Sequence, residues 1–380
     1  MRVAVFADTF MPQINGVTNT LIRLIQYYKE NKIEYIIFAP KYEDEKSEQH
    51  IERFYSLKFV LYPECRVTLP NLFRVSAALS NFQPDLIHIM TEFSMGLTGL
   101  LYGKKHGIPT ISNYTTNFSQ YTNYYKVDFL EQGIWDYMKW FHTQNKITLC
   151  PSHESQILLN QHGIHNTGIF SRGIDFENFH PKYRNDELRK NLELDNKMIF
   201  LYVGRVSIEK DLDILSVSYK AIHEKYGDKV ALIITGNGPY LEKCKEIFPK
   251  NTTFTGFKKG EELAEIYASC DAFVCPSSTE TFGNVILEAM ASGLPVIGAD
   301  AGGVGEIIYH RHNGLKFKKR DSKELTVSMK EIIENTALRN NIKINGRKFA
   351  LNRSWEKIFD GLINIYNEIL KESKDITISA

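Results

Sequence analysis

Short apolar runs, each followed by a polar or glycine-containing turn and then a helical apolar period, recur along this chain and limit its fold more than any other feature. Residues 3–7 (Val-Ala-Val-Phe-Ala), 35–39, 86–90 and 109–112 are such runs in the first half, and 199–203, 230–235 and 271–274 in the second. A strand with one wet face alternates apolar and polar residues, so a run that is apolar throughout belongs in a sheet covered on both faces. Strands of that kind, alternating with helices, build a parallel sheet flanked by helices. At 380 residues the chain is too long for one ordinary core, and the pattern restarts after a charged, weakly periodic stretch. The expected organisation is a first domain at 1–180, a linker at 181–196, a second domain at 197–354 and a terminal helix and tail at 355–380.

The 46 Lys and Arg residues balance 45 Asp and Glu, so overall charge gives no reason to expect a nucleic-acid partner. Five scattered cysteines, with neither a disulfide framework nor zinc spacing, suit a reducing cytoplasm. The first residues lead directly into an apolar run without a charged leader and cleavage site, and no apolar stretch approaches the roughly 18 residues of a membrane span. The expectation is a cytoplasmic chain that is neither exported nor membrane-spanning.

The chemistry concentrates in residues 275–306, CPSSTETFGNVILEAMASGLPVIGADAGGVGE. Glu280 and Glu288 are eight apart, so a single helix carrying both would project them along one face. Phe282, Gly283 and Asn284 interrupt the pattern just before Val285, Ile286, Leu287, Ala289 and Met290 begin a helical one. That places a glycine turn at a helix N-terminus, where unpaired N–H groups and the positive dipole end suit an anionic or polyol ligand. By spacing alone, a loop charge and a solvated helical charge fit as well.

This stretch resembles the retaining nucleotide-sugar glycosyltransferases of family 4, which have the GT-B fold. The run E-T-F-G-N-V-I-L-E matches their E-x7-E signature, and A-S-G-L-P-V-I and A-G-G-V-G-E follow in the same order and spacing. The resemblance implies two Rossmann-like domains facing across a cleft, with the C-terminal helix crossing back to the first. It assigns Glu288 to ribose hydroxyls and Glu280 to hydroxyls of the transferred sugar. Phe282, Gly283, Asn284 and Val285 would offer backbone N–H groups to the sugar and diphosphate.

Further motifs extend the likeness over nearly the whole chain. After the run at 199–203 comes Gly204-Arg205 and, five residues beyond the arginine, Lys210. Two cations on one strand-to-helix turn can converge on a phosphate, although two solvated surface bases read equally well from position alone. The G-R-x4-K wording matches the family's diphosphate-binding pair, so Arg205 and Lys210 would stabilise the departing nucleoside diphosphate. Gly236-Asn237-Gly238-Pro239 resembles the family's G-x-G-P turn, and in relatives the base is gripped largely by backbone near Gly256 and Phe257. In the first domain, P-x-x-N-G-V at 12–17 looks like the family's first loop, which brings Gly16 to the donor. Asp8, Asn15, Thr115 and Arg172 are acceptor-side candidates. Thr115 stands where relatives commonly carry a histidine, and threonine does not titrate near neutrality.

The resemblance further implies transfer of a hexose from a donor of the GDP-mannose or UDP-glucose type, without metal or cofactor. The first-loop wording is closest to enzymes acting on membrane lipids such as diacylglycerol or phosphatidylinositol; a cell-wall or capsule acceptor is the alternative. Apolar residues between 53 and 81 mix with Lys58, Arg66 and Arg74. Aromatic residues at such spacing usually form core, while the basic admixture also fits peripheral contact with the inner face of the plasma membrane. The aromatic residues between 121 and 141 carry the same ambiguity, and His88 and His142 read as structural. The departure at Thr115 also admits a nucleotide-sugar binder without turnover. A dinucleotide-dependent dehydrogenase would need the G-x-G-x-x-G fingerprint, which is missing.

Overall fold

The structure is a computed structural model that describes residues 1–13, 15–42, 49–58, 66–114 and 131–378. It divides into two compact units, Met1–Ser171 with Glu356–Ala380, and Arg172–Trp355. The first contains β1 (Arg2–Phe6), β2 (Glu34–Pro40), β3 (Ile51–Phe54), β4 (Ser56–Lys58), β5 (Arg66–Thr68), β6 (Leu86–Ile89), β7 (Thr110–Asn113), β8 (Ile147–Cys150) and β9 (Thr167–Ile169). Seven of these form a sheet in the order β3-β2-β1-β6-β7-β8-β9, every neighbouring pair parallel. The runs apolar at every position occupy its middle, where both faces are covered, as the pattern requires. Phe6 and Phe38 stack there with ring centroids 4.5 Å apart.

β4 and β5 form a separate antiparallel pair. Three-residue strands mixing Lys58 and Arg66 with apolar residues carry no period to read. Of the described aromatic and leucine residues at the start of this region, Phe54 is in the core. Tyr55, Leu57, Leu69, Leu72 and Phe73 are exposed, Phe73 at 90%. The usual core reading therefore fails for most of them. In the later aromatic cluster Trp135 and Phe141 are buried and Trp140 is exposed, while Tyr121, Tyr124, Tyr125 and Phe129 lie outside the described residues.

The terminal helix Trp355–Ile378 joins the first unit from Glu356 onward. Phe359, Leu362 and Tyr366 are buried, and full burial of a Phe or Leu side chain contributes about 1.5–3 kcal/mol. A chain of buried hydrogen bonds fixes its register. His88 Nε2–H donates to Asn113 Oδ1 at 2.9 Å, Tyr366 OH donates to His88 Nδ1 at 2.5 Å, and Tyr28 OH donates to the Tyr366 oxygen at 2.9 Å. Burial pushes the His88 pKa down to about 4, so the ring is neutral and one nitrogen remains an acceptor.

The second unit contains β10 (Met198–Val203), β11 (Val230–Thr235), β12 (Thr252–Gly256), β13 (Ala272–Cys275), β14 (Val296–Ala299) and β15 (Leu315–Phe317). They form one sheet in the order β12-β11-β10-β13-β14-β15, again with parallel pairs. Along β10, Ile199 and Leu201 enter one buried cluster and Phe200 and Tyr202 the other, which is the period of two expected of a strand with a core on each face. The charged stretch at 181–196 packs with this unit. Arg189 is buried, donates to the Ser269 carbonyl at 2.9 Å and pairs with Asp271 at 3.1 Å. Arg189 is the one buried charge of the stretch, whose other charged residues are exposed, and the break between the compact units falls at Ser171/Arg172.

Candidate active site

In the second unit, the carboxyl ends of β10, β11 and β13 lead into three turns that hold one another. Gly204, following β10, has φ 155°. A Cβ on Gly236, following β11, would lie 1.8 Å from the Gly204 carbonyl oxygen, so the two turns meet backbone to backbone. Val206 N donates to Asn237 O at 2.9 Å and Tyr240 N to Val206 O at 3.0 Å. Below them Tyr202 OH donates to the Arg205 carbonyl at 2.8 Å. Burial pushes this phenol's pKa well above its usual value, and the charges of Lys210, Glu280 and Glu209 also act on it.

The chain then makes a 3-10 turn, Ile208–Lys210, which brings Lys210 Nζ to Glu280 Oε1 at 2.5 Å, with the side chains only 13% and 24% exposed. The turn is fastened to the loop following β13. Thr279 Oγ1 donates to the Glu209 carbonyl at 3.1 Å and Ser278 N to Asp211 Oδ2 at 3.0 Å, while within the turn itself Ser207 Oγ donates to Glu209 Oε1 at 2.6 Å. Glu280 is held from the other side as well. Its carbonyl accepts from Gly303 N at 2.8 Å, and a Cβ on Gly302 would come within 2.3 Å of that same oxygen.

The helix Asn284–Ala291 begins after Gly283, whose φ of 92° is left-handed, and no side chain caps it. The glycine turn at a helix start is therefore present. Glu280 sits in the preceding loop while Glu288 is helical, so the two do not share a helix face. Glu288 Oε2 accepts from Tyr267 OH at 2.8 Å. Burial raises its pKa to about 7, against the lowering effect of the Tyr267 bond. Phe282 is buried; Asn284 and Val285 are half-buried. Gly256 ends β12 in the left-handed region at φ 71°, and Phe257 beside it is exposed. The second unit thus brings Gly204, Arg205, Lys210, Glu280 and the 282–285 turn to the carboxyl ends of its strands, where α/β folds bind ligands.

Gly16 and the acceptor-side candidates behave differently. Asp8 is completely buried and serves the helix Ser94–His106: Oδ1 accepts from Met95 N at 2.8 Å and Ser94 Oγ at 3.0 Å, and Oδ2 from Thr91 Oγ1 at 2.8 Å. Burial raises its pKa to about 6 against these donors. Asn15 caps the helix Gly16–Glu30 by accepting from Thr18 N at 2.9 Å, and Gly16 is that helix's first residue. Arg172 is buried, which lowers its pKa to about 10. Thr115 lies outside the described residues. Among the described residues, no group of three or more His, Cys, Asp or Glu side chains is arranged to hold a metal, and no helix is long and apolar enough to cross a membrane.

Sequence reasoning missed Glu209, Asp211, Ser278 and Tyr267. Asp211, Ser278 and Tyr267 act through partners distant in the chain, and Glu209 meets distant Thr279 only through its backbone carbonyl, so no local spacing signals them.

Two parallel α/β units, the second carrying an anion-suited turn with its cation and carboxylate, define the class of GT-B glycosyltransferases. Residues 14–178 match the family described as Glycosyltransferase Family 4 and residues 184–349 that described as Glycosyl transferases group 1; the chain belongs to this glycosyltransferase family. It is 32% identical over 388 residues to a GDP-mannose-dependent alpha-mannosyltransferase of Corynebacterium glutamicum, covering 100% of this chain and 92% of the relative. An alpha-monoglucosyldiacylglycerol synthase of Streptococcus pneumoniae is 29% identical, over 78% of this chain and 70% of its own length. Among solved structures, Anabaena HepE in complex with UDP superimposes with a TM-score of 0.78 at 21% identity, covering 97% of this chain and 100% of that one.

Proposed function

We propose that this glycosyltransferase moves a hexose, with retention and without metal or cofactor, from a GDP-mannose or UDP-glucose type donor to a lipid hydroxyl at the cytoplasmic membrane face. The observation that carries the reading is the Lys210–Glu280 pair, at 2.5 Å, at the glycine turn that opens the helix Asn284–Ala291. On donor binding the diphosphate takes Lys210, joined by Arg205 and the N–H groups of 282–285. Glu280 then accepts from hydroxyls of the sugar, and Glu288 from those of the ribose. As the bond between the anomeric carbon and the phosphate oxygen breaks, negative charge grows on the diphosphate. One preorganised donor at such a position is typically worth about 3–4 kcal/mol in the transition state. The acceptor oxygen bonds to the anomeric carbon on the face the phosphate leaves, and its proton passes to a phosphate oxygen. The two cations supply the positive charge that a metal supplies elsewhere.

The lipid acceptor rests on the named relatives and on the first unit's surface. Around β4, β5 and the start of the helix Leu72–Phe82, the exposed Tyr55, Leu57, Leu69, Leu72 and Phe73 lie beside Arg66 and Arg74, a composition suited to an anionic bilayer surface. The test is release of nucleoside diphosphate from a panel of UDP- and GDP-sugars, with and without diacylglycerol- or phosphatidylinositol-containing vesicles and with EDTA throughout. Release from one donor that rises with lipid is expected. Release indifferent to lipid would overturn the acceptor, and a requirement for added metal would overturn the mechanism.

A further inference from the structure

Asp211, immediately after Lys210, is the least expected residue near the site. Its backbone is left-handed, φ 51° and ψ 36°, and it begins the helix Leu212–Tyr226 without any side-chain cap bond. An aspartate at a helix start ordinarily accepts from the first-turn N–H groups, and a non-glycine residue with this backbone is strained. This one has the strain without the cap. Its carboxylate, in a residue that is 8% exposed, is turned to another segment: Oδ2 accepts from Ser278 N at 3.0 Å and Ser278 Oγ at 2.5 Å. Oδ1 pairs with Arg320 Nε at 3.3 Å.

We propose that Asp211 is a positioning residue that sets the approach of Lys210 to Glu280. It adjoins Lys210 in sequence, and Ser278 lies two residues before Glu280, so the Asp211–Ser278 clasp ties the two charge-bearing backbones directly. The bond from Thr279 Oγ1 to the Glu209 carbonyl, at 3.1 Å, makes a second, weaker tie, one residue before Lys210 and one before Glu280. Arg320 is more than half exposed, so its contact with Asp211 is screened and the Ser278 bonds dominate. Strain held at a single residue by tethers of this kind is a recognised way of keeping functional groups in place. The inference rests on the proposed function for its effect on turnover, while the tether itself is independent of any donor.

Asp211→Gly separates positioning from stability, because glycine relieves the backbone strain while deleting the clasp. The expected result is a modest fall in the variant's melting temperature, because relief of the left-handed backbone offsets only part of the two lost Ser278 bonds. Its kcat should fall roughly 10- to 100-fold with little change in KM, the scale of a small misplacement of reacting groups. Asp211→Asn keeps one acceptor oxygen and tolerates the left-handed backbone, so it should restore most of the rate; it also serves if the glycine variant fails to fold. Amine labelling of Lys210, read by mass spectrometry, should rise in the order unaltered, Asp211→Asn, Asp211→Gly. Unchanged labelling, or a glycine variant with normal kcat, would overturn the positioning role. If the unaltered protein turns over none of the UDP- or GDP-sugars, the functional reading fails, and the labelling order still decides the tether.

Discussion

Replacing Glu280 by glutamine should tighten the binding of a free nucleoside diphosphate even as it slows sugar transfer. Lys210 Nζ lies 2.5 Å from Glu280 Oε1, with the two side chains 13% and 24% exposed, so the diphosphate gains Lys210 only by separating it from the carboxylate. Fully exposed pairs contribute about 0.2–1 kcal/mol, and losing one member of a fully buried pair costs about 3–5 kcal/mol. A pair this sheltered falls between, at about 2 kcal/mol for loss of either partner. In a unit of this size that corresponds to a fall in melting temperature of about 4–8 °C. The same competition acts against the ligand. A hydrogen bond to a charged group is worth about 1.5–3 kcal/mol, and 1.4 kcal/mol is about tenfold in affinity. Calorimetric titration with GDP and UDP should therefore find the preferred diphosphate bound about tenfold more tightly by Glu280→Gln, while turnover of its sugar ester drops. An unchanged or weakened diphosphate affinity would refute the idea that Glu280 holds Lys210 away from the phosphate.

Glu288 gives a pH signature. Its pKa is raised by burial to about 7 from 4.5, so its stabilising contribution is full below about 4.5 and is lost as pH rises through about 7. Urea unfolding of the unaltered protein should lose stability between pH 5 and 8 more steeply than that of Glu288→Gln, and equal slopes would place the proton elsewhere. Tyr366→Phe leaves both His88 Nδ1 and the Tyr28 hydroxyl without their bond, at about 1–3 kcal/mol for each buried group; denaturant titration should register about 2–6 kcal/mol in total, and a loss near zero would dissolve the hydrogen-bond chain. In Gly303→Ala the new Cβ would lie 2.3 Å from Phe282 Cα. Displacing that backbone should cost at least tenfold in kcat/KM with an unchanged circular dichroism spectrum, and full activity would show that the turn's position is unimportant.

How far the chain could be read without coordinates depended on range. The apolar runs at 3–7, 199–203 and 230–235 became central strands because burial on both faces leaves its mark in consecutive residues. The glycine turn at Gly283 was equally legible, since the break in apolar period and the following helix are local. The pairing of Lys210 with Glu280 was not, because the partners are 70 residues apart and each had its own local reading as a ligand contact. The stretch at 181–196 read as a linker for a similar reason: the pairing of Arg189 with Asp271 spans 82 residues and leaves no local mark. Asp211 stands in sequence where a helix cap would, and only its bonds from Ser278, 67 residues away, show that its carboxylate is used elsewhere. The exposed Leu72 and Phe73 had no sequence mark to distinguish them from the buried Val75 and Leu79 on the same helix.

The return of the terminal helix to the first unit bears on the order in which the protein can be made. Residues 1–171 leave the ribosome well before residue 366, and at about 5–20 residues per second the intervening unit occupies roughly 10–40 s of synthesis. Throughout that interval Tyr28 and His88 await the Tyr366 hydroxyl, and Phe170 lacks Phe359, the ring it will lie 6.3 Å from. The second unit is continuous in sequence and has no such wait. The half of the protein that is synthesised first is therefore the half completed last, and a chain stalled just short of residue 355 would expose the unfinished domain beside a finished one.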